Sequence, residues 1–135
     1  MSLITWNERF SIGITKIDAQ HRSLADMVNK LHDAMTKGLG SQVIGQILNS
    51  LISYTQTHFS TEEELFARHD YPAAEDHKKE HKELVLKALE WKRQFDSGNR
   101  MLSVQISTVL RNWLVNHIEH SDKLYGRYLM LKGVR

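Results

Sequence analysis

The chain has no cysteine and only one proline in 135 residues. The first absence removes disulfides, iron–sulfur clusters, thiolate zinc sites and thiol nucleophiles together. It also suits a reducing compartment. Scarce proline favours long helices, because proline lacks a backbone donor and clashes with the preceding turn. No apolar run approaches the ~20 residues needed to span a bilayer. Met1 to Phe10 carries Glu8 and Arg9 and lacks the apolar core and cleavage site of a leader. A cytoplasmic protein without membrane insertion is therefore expected. Strong charge of one sign is missing as well: 18 Lys and Arg stand against 16 Asp and Glu. Opposite charges are interspersed, as in Lys78–Lys79–Glu80, with no basic stripe of the kind that grips nucleic acid. What the chain does have is histidine, eight of them, which raises the question of a metal.

Length and an apolar content of 41% suit one folded domain over residues 1–135. Gly38 and Gly40, Asp70–Tyr71–Pro72, and Ser97–Gly98–Asn99 punctuate the chain. Between them lie four segments of helical length, Asp18–Lys37, Ser41–Arg68, Ala73–Asp96 and Arg100–Leu131. Ser41 and Asn99 are expected as N-caps and Gly98 as a C-terminal stop. Each segment carries a seam with steps of three and four. The seams run Ile17, His21, Leu24, Val28, Leu31, Met35; then Ile44, Leu48, Leu51, Thr55, His58, Glu62, Leu65; then His77, His81, Leu84, Ala88, Trp91, Phe95. The fourth is less regular, with Ile106, Leu110, Trp113, His117 and Leu124. Short links favour antiparallel neighbours, so the expected fold is all-α, an up-down-up-down four-helix bundle over 18–131. Residues 1–17, with Trp6 and Phe10, read as an N-terminal arm packed across it.

The seams are apolar until they reach His21, His58, Glu62, His77, His81 and His117. A buried imidazole or carboxylate is costly without a partner. A lone histidine on an apolar face is more often a satisfied core residue than a ligand. Here every helix carries at least one such residue. His58 and Glu62, like His77 and His81, are four apart and share a helix face. In an antiparallel bundle all six positions meet at one end. Among the others, His32 is expected at an edge, His69 in a turn, and His120 outside the ligand set.

These residues also form motifs. They are His21 after Asp18–Ala19–Gln20; HxxxE from His58 to Glu62, followed by Glu63; Tyr71–Pro72; HxxxH from His77 to His81; WLxxH from Trp113 to His117; and HxxxxD from His117 to Asp122. In this order and spacing, with Trp6, the chain resembles the hemerythrins, and specifically their single-domain bacterial members, over nearly its whole length. Phe66 and Leu84 depart from the methionine and phenylalanine of many relatives but stay apolar.

The resemblance implies two iron ions joined by an oxo or hydroxo bridge. His77, His81 and His117 would hold one iron and His21 and His58 the other, with Glu62 and Asp122 bridging. Imidazole and carboxylate donors suit iron. The two-histidine iron would keep an open position, where dioxygen binds reversibly. Phe59, Trp113 and Leu114 would line the oxygen pocket. Asp122 enters only through the resemblance, because five residues place it about 140° round an ideal helix from His117. A local π-type widening would bring it back. The implied function is oxygen transport, storage or delivery to an oxygen-consuming enzyme, by a monomer that is not itself an enzyme. The competing functions are a di-iron peroxidase, a nitric-oxide or oxygen reductase, an oxygen sensor acting on a partner in trans, and plain iron storage or a zinc-holding bundle.

Overall fold

The computed structural model describes residues 3–98 and 103–135. Five helical rods follow one another: α1 Thr15–Thr36, α2 Ser41–Arg68, α3 Ala74–Asp96, α4 Ser103–His117 and α5 Lys123–Leu131. A π segment, Ile118–Asp122, joins α4 to α5 with helical backbone on both sides, so these three pieces make one long fourth helix. No strand occurs among the described residues. The architecture is a four-helix bundle in which α1 packs on α2 and α4, and α2 on α3.

The helices form where the seams predict them. Every expected seam residue of α1 is buried. In α2 the buried set is Ile44, Leu48, Leu51, His58 and Glu62, joined by Ile52, Phe59 and Phe66, while Thr55 and Leu65 are half-buried. The helix ends differ in part from expectation. Ser41 is not a cap but the first helical residue, because the extended Gly40 precedes it and no side chain caps the end. The Ile44 amide instead donates to the Gly40 carbonyl. Gly98 does stop α3: its φ of 101° is one that only glycine adopts readily. Asn99 and the expected start at Arg100 lie outside the described residues.

The fourth helix corrects one seam residue. Leu124, seven residues after His117, would lie on the core stripe of an unbroken α-helix. It is instead 59% exposed. The π turn inserts one extra residue, which rotates everything after it by about 100°. Asp122, Tyr125 and Leu129 thereby take the inward stripe, all at 0% exposure.

The arm does cross the bundle. It buries Ile4, Phe10, Ile12 and Ile14, and its last residues are already helical, since α1 begins at Thr15 rather than Asp18. Asp18 locks the junction by accepting from the Ile12 amide (2.8 Å) and the Ser11 hydroxyl (2.7 Å). Asn29 pins Ile4 by accepting from its amide and donating to its carbonyl. Trp6 lies under the Arg22 guanidinium, 5.2 Å from its ring centre. The arm lies close over α5 at Gly126, where a Cβ would sit 2.6 Å from the Ile12 carbonyl oxygen. Any side chain there would push the arm off the π segment that it covers.

Candidate metal centre

One end of the bundle gathers all the polar seam residues. His21 comes from the second turn of α1, and His58 and Glu62 from the latter part of α2. His77 and His81 come from the first turns of α3, and His117 from the end of α4. All are buried, as is Asp122. The π turn is what brings Asp122 in, since without it the carboxylate would face away from His117.

The donor atoms converge on two adjoining points. Glu62, His77, His81, His117 and Asp122 each offer one atom to a group within 4.8 Å, and His21, His58 and Glu62 do the same. The Asp122 carboxylate divides between them. Its Oδ1 lies 3.0 Å from His77 Nε2 and 3.1 Å from His117 Nε2, while its Oδ2 lies 3.0 Å from His21 Nε2. Glu62 does likewise: Oε1 is 3.1 Å from His81 Nε2, and Oε2 is 3.6 Å from His21 Nε2. His58 Nε2 sits 3.4 Å from Oε1.

These distances fit a metal. Donors about 2.1 Å from one ion and at right angles to each other lie about 3.0 Å apart. The Nε2 atoms of His21, His77, His81 and His117, Glu62 Oε1 and both Asp122 oxygens are buried without a hydrogen-bond partner. Orphaned polar atoms of this kind are rare in folded proteins. Cations between them would satisfy the whole set.

The electrostatics are those of a cation socket. Burial opposes charge on His21 and His117, but the Asp122 carboxylate beside them prevails and raises their pKa values to about 9 and about 10. At His58 burial prevails and lowers the value to about 4. Burial and Asp122 push Glu62 upward, yet the surrounding histidines hold it well below the usual carboxylate range. Asp122 is held down in the same way, against burial, by His117 and His21.

A second layer aims the imidazoles. Gln20 Oε1 lies 2.6 Å from His58 Nδ1, Glu63 Oε2 2.9 Å from His81 Nδ1, and Glu80 Oε1 3.0 Å from His117 Nδ1. Glu80 is itself held by the Ser121 hydroxyl at 2.8 Å. Such partners fix which ring nitrogen faces the metal and raise its basicity. Tyr125, buried at the floor of the site, donates its hydroxyl to Glu62 Oε2. Burial and the Glu62 and Asp122 charges push its pKa well up, so the phenol stays a donor.

Sequence reasoning missed these four helpers, although a signal existed. Gln20, Glu63 and Glu80 each adjoin a ligand-type residue in the chain and serve a histidine on another helix. A neighbouring position on a helix is turned about 100°, which points it into the groove between helices.

The three residues expected around oxygen share one apolar cavity. Phe59, Trp113 and Leu114 line it with Leu24, Val28 and Leu84, leaving about 20 Å³ open to a water-sized guest. Phe59 stacks flat on His81 at 3.7 Å between ring centres, and Trp113 stacks on His117 at 4.3 Å. These two rings thus stand between the cavity and the imidazoles of His81 and His117. The other histidines fall outside the cluster. His32 Nδ1 meets Ser107 Oγ at 3.0 Å, His69 caps α2, and His120 is exposed.

A buried histidine and carboxylate cluster at one end of a four-helix bundle defines a metal-binding helical-bundle protein. The chain belongs to the hemerythrin family: the hemerythrin HHE cation binding domain matches residues 12–129. It is 39% identical over 127 residues to the bacteriohemerythrin of Methylococcus capsulatus, covering 93% of this chain and 96% of that protein. It is 35% identical over 126 residues to the bacteriohemerythrin of Stenotrophomonas maltophilia, covering 93% and 81%. A crystal structure of wild-type hemerythrin superposes with a TM-score of 0.88 at 37% identity, covering 93% of this chain and 96% of that one.

Proposed function

We propose that the chain binds dioxygen reversibly at two irons, one held by His77, His81 and His117 and the other by His21 and His58, with Glu62 and Asp122 bridging. The observation that carries this reading is Asp122 dividing its two oxygens between His77 and His117 on one side and His21 on the other, with Glu62 reaching His81, His58 and His21. Two ferrous ions held by these residues would supply the two electrons that dioxygen takes up on binding. The unequal donor counts leave more room on the His21 and His58 side, which is where a small ligand would enter.

The protein's own residues do the rest. Gln20, Glu63 and Glu80 hold three imidazoles in register. Tyr125 keeps Glu62 oriented by donating to Oε2. Phe59, Trp113 and Leu114 form the oxygen pocket and exclude water, which discourages irreversible loss of the bound ligand. We read the centre as a carrier rather than an enzyme; His120, the candidate acid or base in the fourth motif, is exposed. We read the chain as a cytoplasmic monomer delivering oxygen to an oxygen-consuming enzyme or holding it in store. No helix among the described residues is long and apolar enough to cross a membrane.

The test is to load the chain with ferrous iron without air, record the visible spectrum, admit oxygen and then remove it. A charge-transfer band that comes and goes is expected, with two irons per chain. A band that never reverses would replace the carrier reading with a catalytic or sensing one.

A further inference from the structure

Three of the chain's four tyrosines form one connected cluster that starts at the metal centre and ends at the surface. Tyr125 touches the centre through its hydrogen bond to Glu62. Its ring centre lies 6.3 Å from that of Tyr71, in the turn between α2 and α3. Tyr71 in turn lies 5.2 Å from Tyr128 on α5. Tyr128 is half-buried, and the Lys132 ammonium stands 5.4 Å from its ring centre. Phe66 packs among them, 5.0 Å from Tyr125 and 5.1 Å from Tyr71. Tyr125 donates its hydroxyl to Glu62, and Tyr128 donates to the His69 and Asp70 carbonyls, so each end of the cluster is fixed by a phenol that can also be oxidised.

We propose that Tyr125, Tyr71 and Tyr128 form a one-electron relay that carries oxidising equivalents from the buried centre to the protein surface. The proposal goes beyond oxygen binding and rests on the centre holding a redox-active metal. The oxidant is hydrogen peroxide, which takes two electrons, and two protons from solvent water, to become two waters. When the centre can give only one electron, the second is drawn from Tyr125. The Tyr125 phenol proton passes to its acceptor, Glu62, and a tyrosyl radical remains. An electron from Tyr71 then restores Tyr125, which takes its proton back from Glu62, while Tyr71 releases its own proton to water. Tyr128 then gives an electron to Tyr71, which regains a proton from water, and the Tyr128 phenol proton is released to water. A surface reductant, an enediolate or thiolate anion drawn by Lys132, gives the last electron, and Tyr128 regains a proton from water. The net change is one electron moved inward and one reductant radical left outside. Core packing is spared the radical chemistry that a buried tyrosyl would otherwise start.

The experiment uses the full chain, loaded with iron and partly reduced, with iron content assayed first. Hydrogen peroxide is added with a nitroso spin trap. Radical signals are read by electron paramagnetic resonance and adducts are located by mass spectrometry. A tyrosyl signal with its adduct at Tyr128 is expected. Tyr71→Phe should abolish the Tyr128 adduct and leave the radical on Tyr125, with iron content unchanged. Tyr54→Phe, which alters the tyrosine off the chain, should leave the Tyr128 adduct as it was. An adduct at Tyr128 that survives Tyr71→Phe overturns the relay, as does trapping on Trp113, which stacks on His117 along a separate route. An iron-loaded chain that yields no tyrosine adduct overturns the relay alone. A chain that binds no iron overturns the proposed function and the relay with it.

Discussion

The two ends of this bundle are built on the same helices and the same seam, yet they solve opposite problems. At one end Leu31, Met35, Ile44 and Leu48 fill the seam, all at 7% exposure or less. Burial of such side chains is favourable by itself, at roughly 1.5–3 kcal/mol each. At the other end the same steps of three and four deliver His21, His58, Glu62, His77, His81 and His117. Their burial is unfavourable unless something pairs them. The apolar end carries the cost of the polar end, and metal ions held by these side chains would offset that cost. The π turn belongs to the polar end, while the arm runs from there along α1 as far as Asn29.

The comparison can be broken at either side. The largest effect is expected from Asp122→Ala, which removes the carboxylate shared between the two halves. Iron per chain should fall from two to one or none and the oxygen band should vanish, as measured by metal analysis and visible absorption. Leu48→Ala, at the opposite end, should cost about 2–5 kcal/mol of stability by denaturant unfolding. The spectrum of the loaded protein should stay as it was. A shifted spectrum would mean that the two ends are coupled.

Two smaller effects sharpen the contrast. Leu114 lines the cavity from α4, three residues before His117. Leu114→Ala should keep both irons but hasten irreversible oxidation in air, followed as decay of the oxygen band. The same decay rate as the parent would show that the leucine only packs. The smallest effect is the pH response. The pKa values of His21 and His117 are raised from 6.5 to about 9 and about 10. In the metal-free chain their stabilising contribution is full below 6.5 and is lost as pH rises toward 9 to 10. His58 works the other way: its lowered value adds stability above 6.5 and loses it as pH falls toward 4. Melting of the metal-free chain should therefore drop by several degrees between neutral and alkaline pH. The iron-loaded chain should not show this drop, because its imidazoles hold metal in place of protons.

Much of the polar end was legible in the chain itself. Six of the residues that meet there break an otherwise apolar seam, and periodicity places each of them inward. Asp122 was legible only by resemblance, since spacing alone turns it outward, and Leu124 was misplaced for the same reason. Both follow from one extra residue in the fourth helix, and no residue in Ile118–Asp122 announces it. Tyr125, Gln20, Glu63 and Glu80 were passed over because their partners are on other helices, although the last three each adjoin a ligand-type residue in the chain.

The sequence by itself determined four helices, their seams, and the six buried histidine and carboxylate positions of those seams, because each depends on a repeat within one helix. The tertiary structure alone decided how Glu62 and Asp122 divide between the two halves, which side chains aim the imidazoles, and how Tyr71 comes to lie between Tyr125 and Tyr128. These depend on the distance and rotation between helices, which packing sets and a local repeat does not contain.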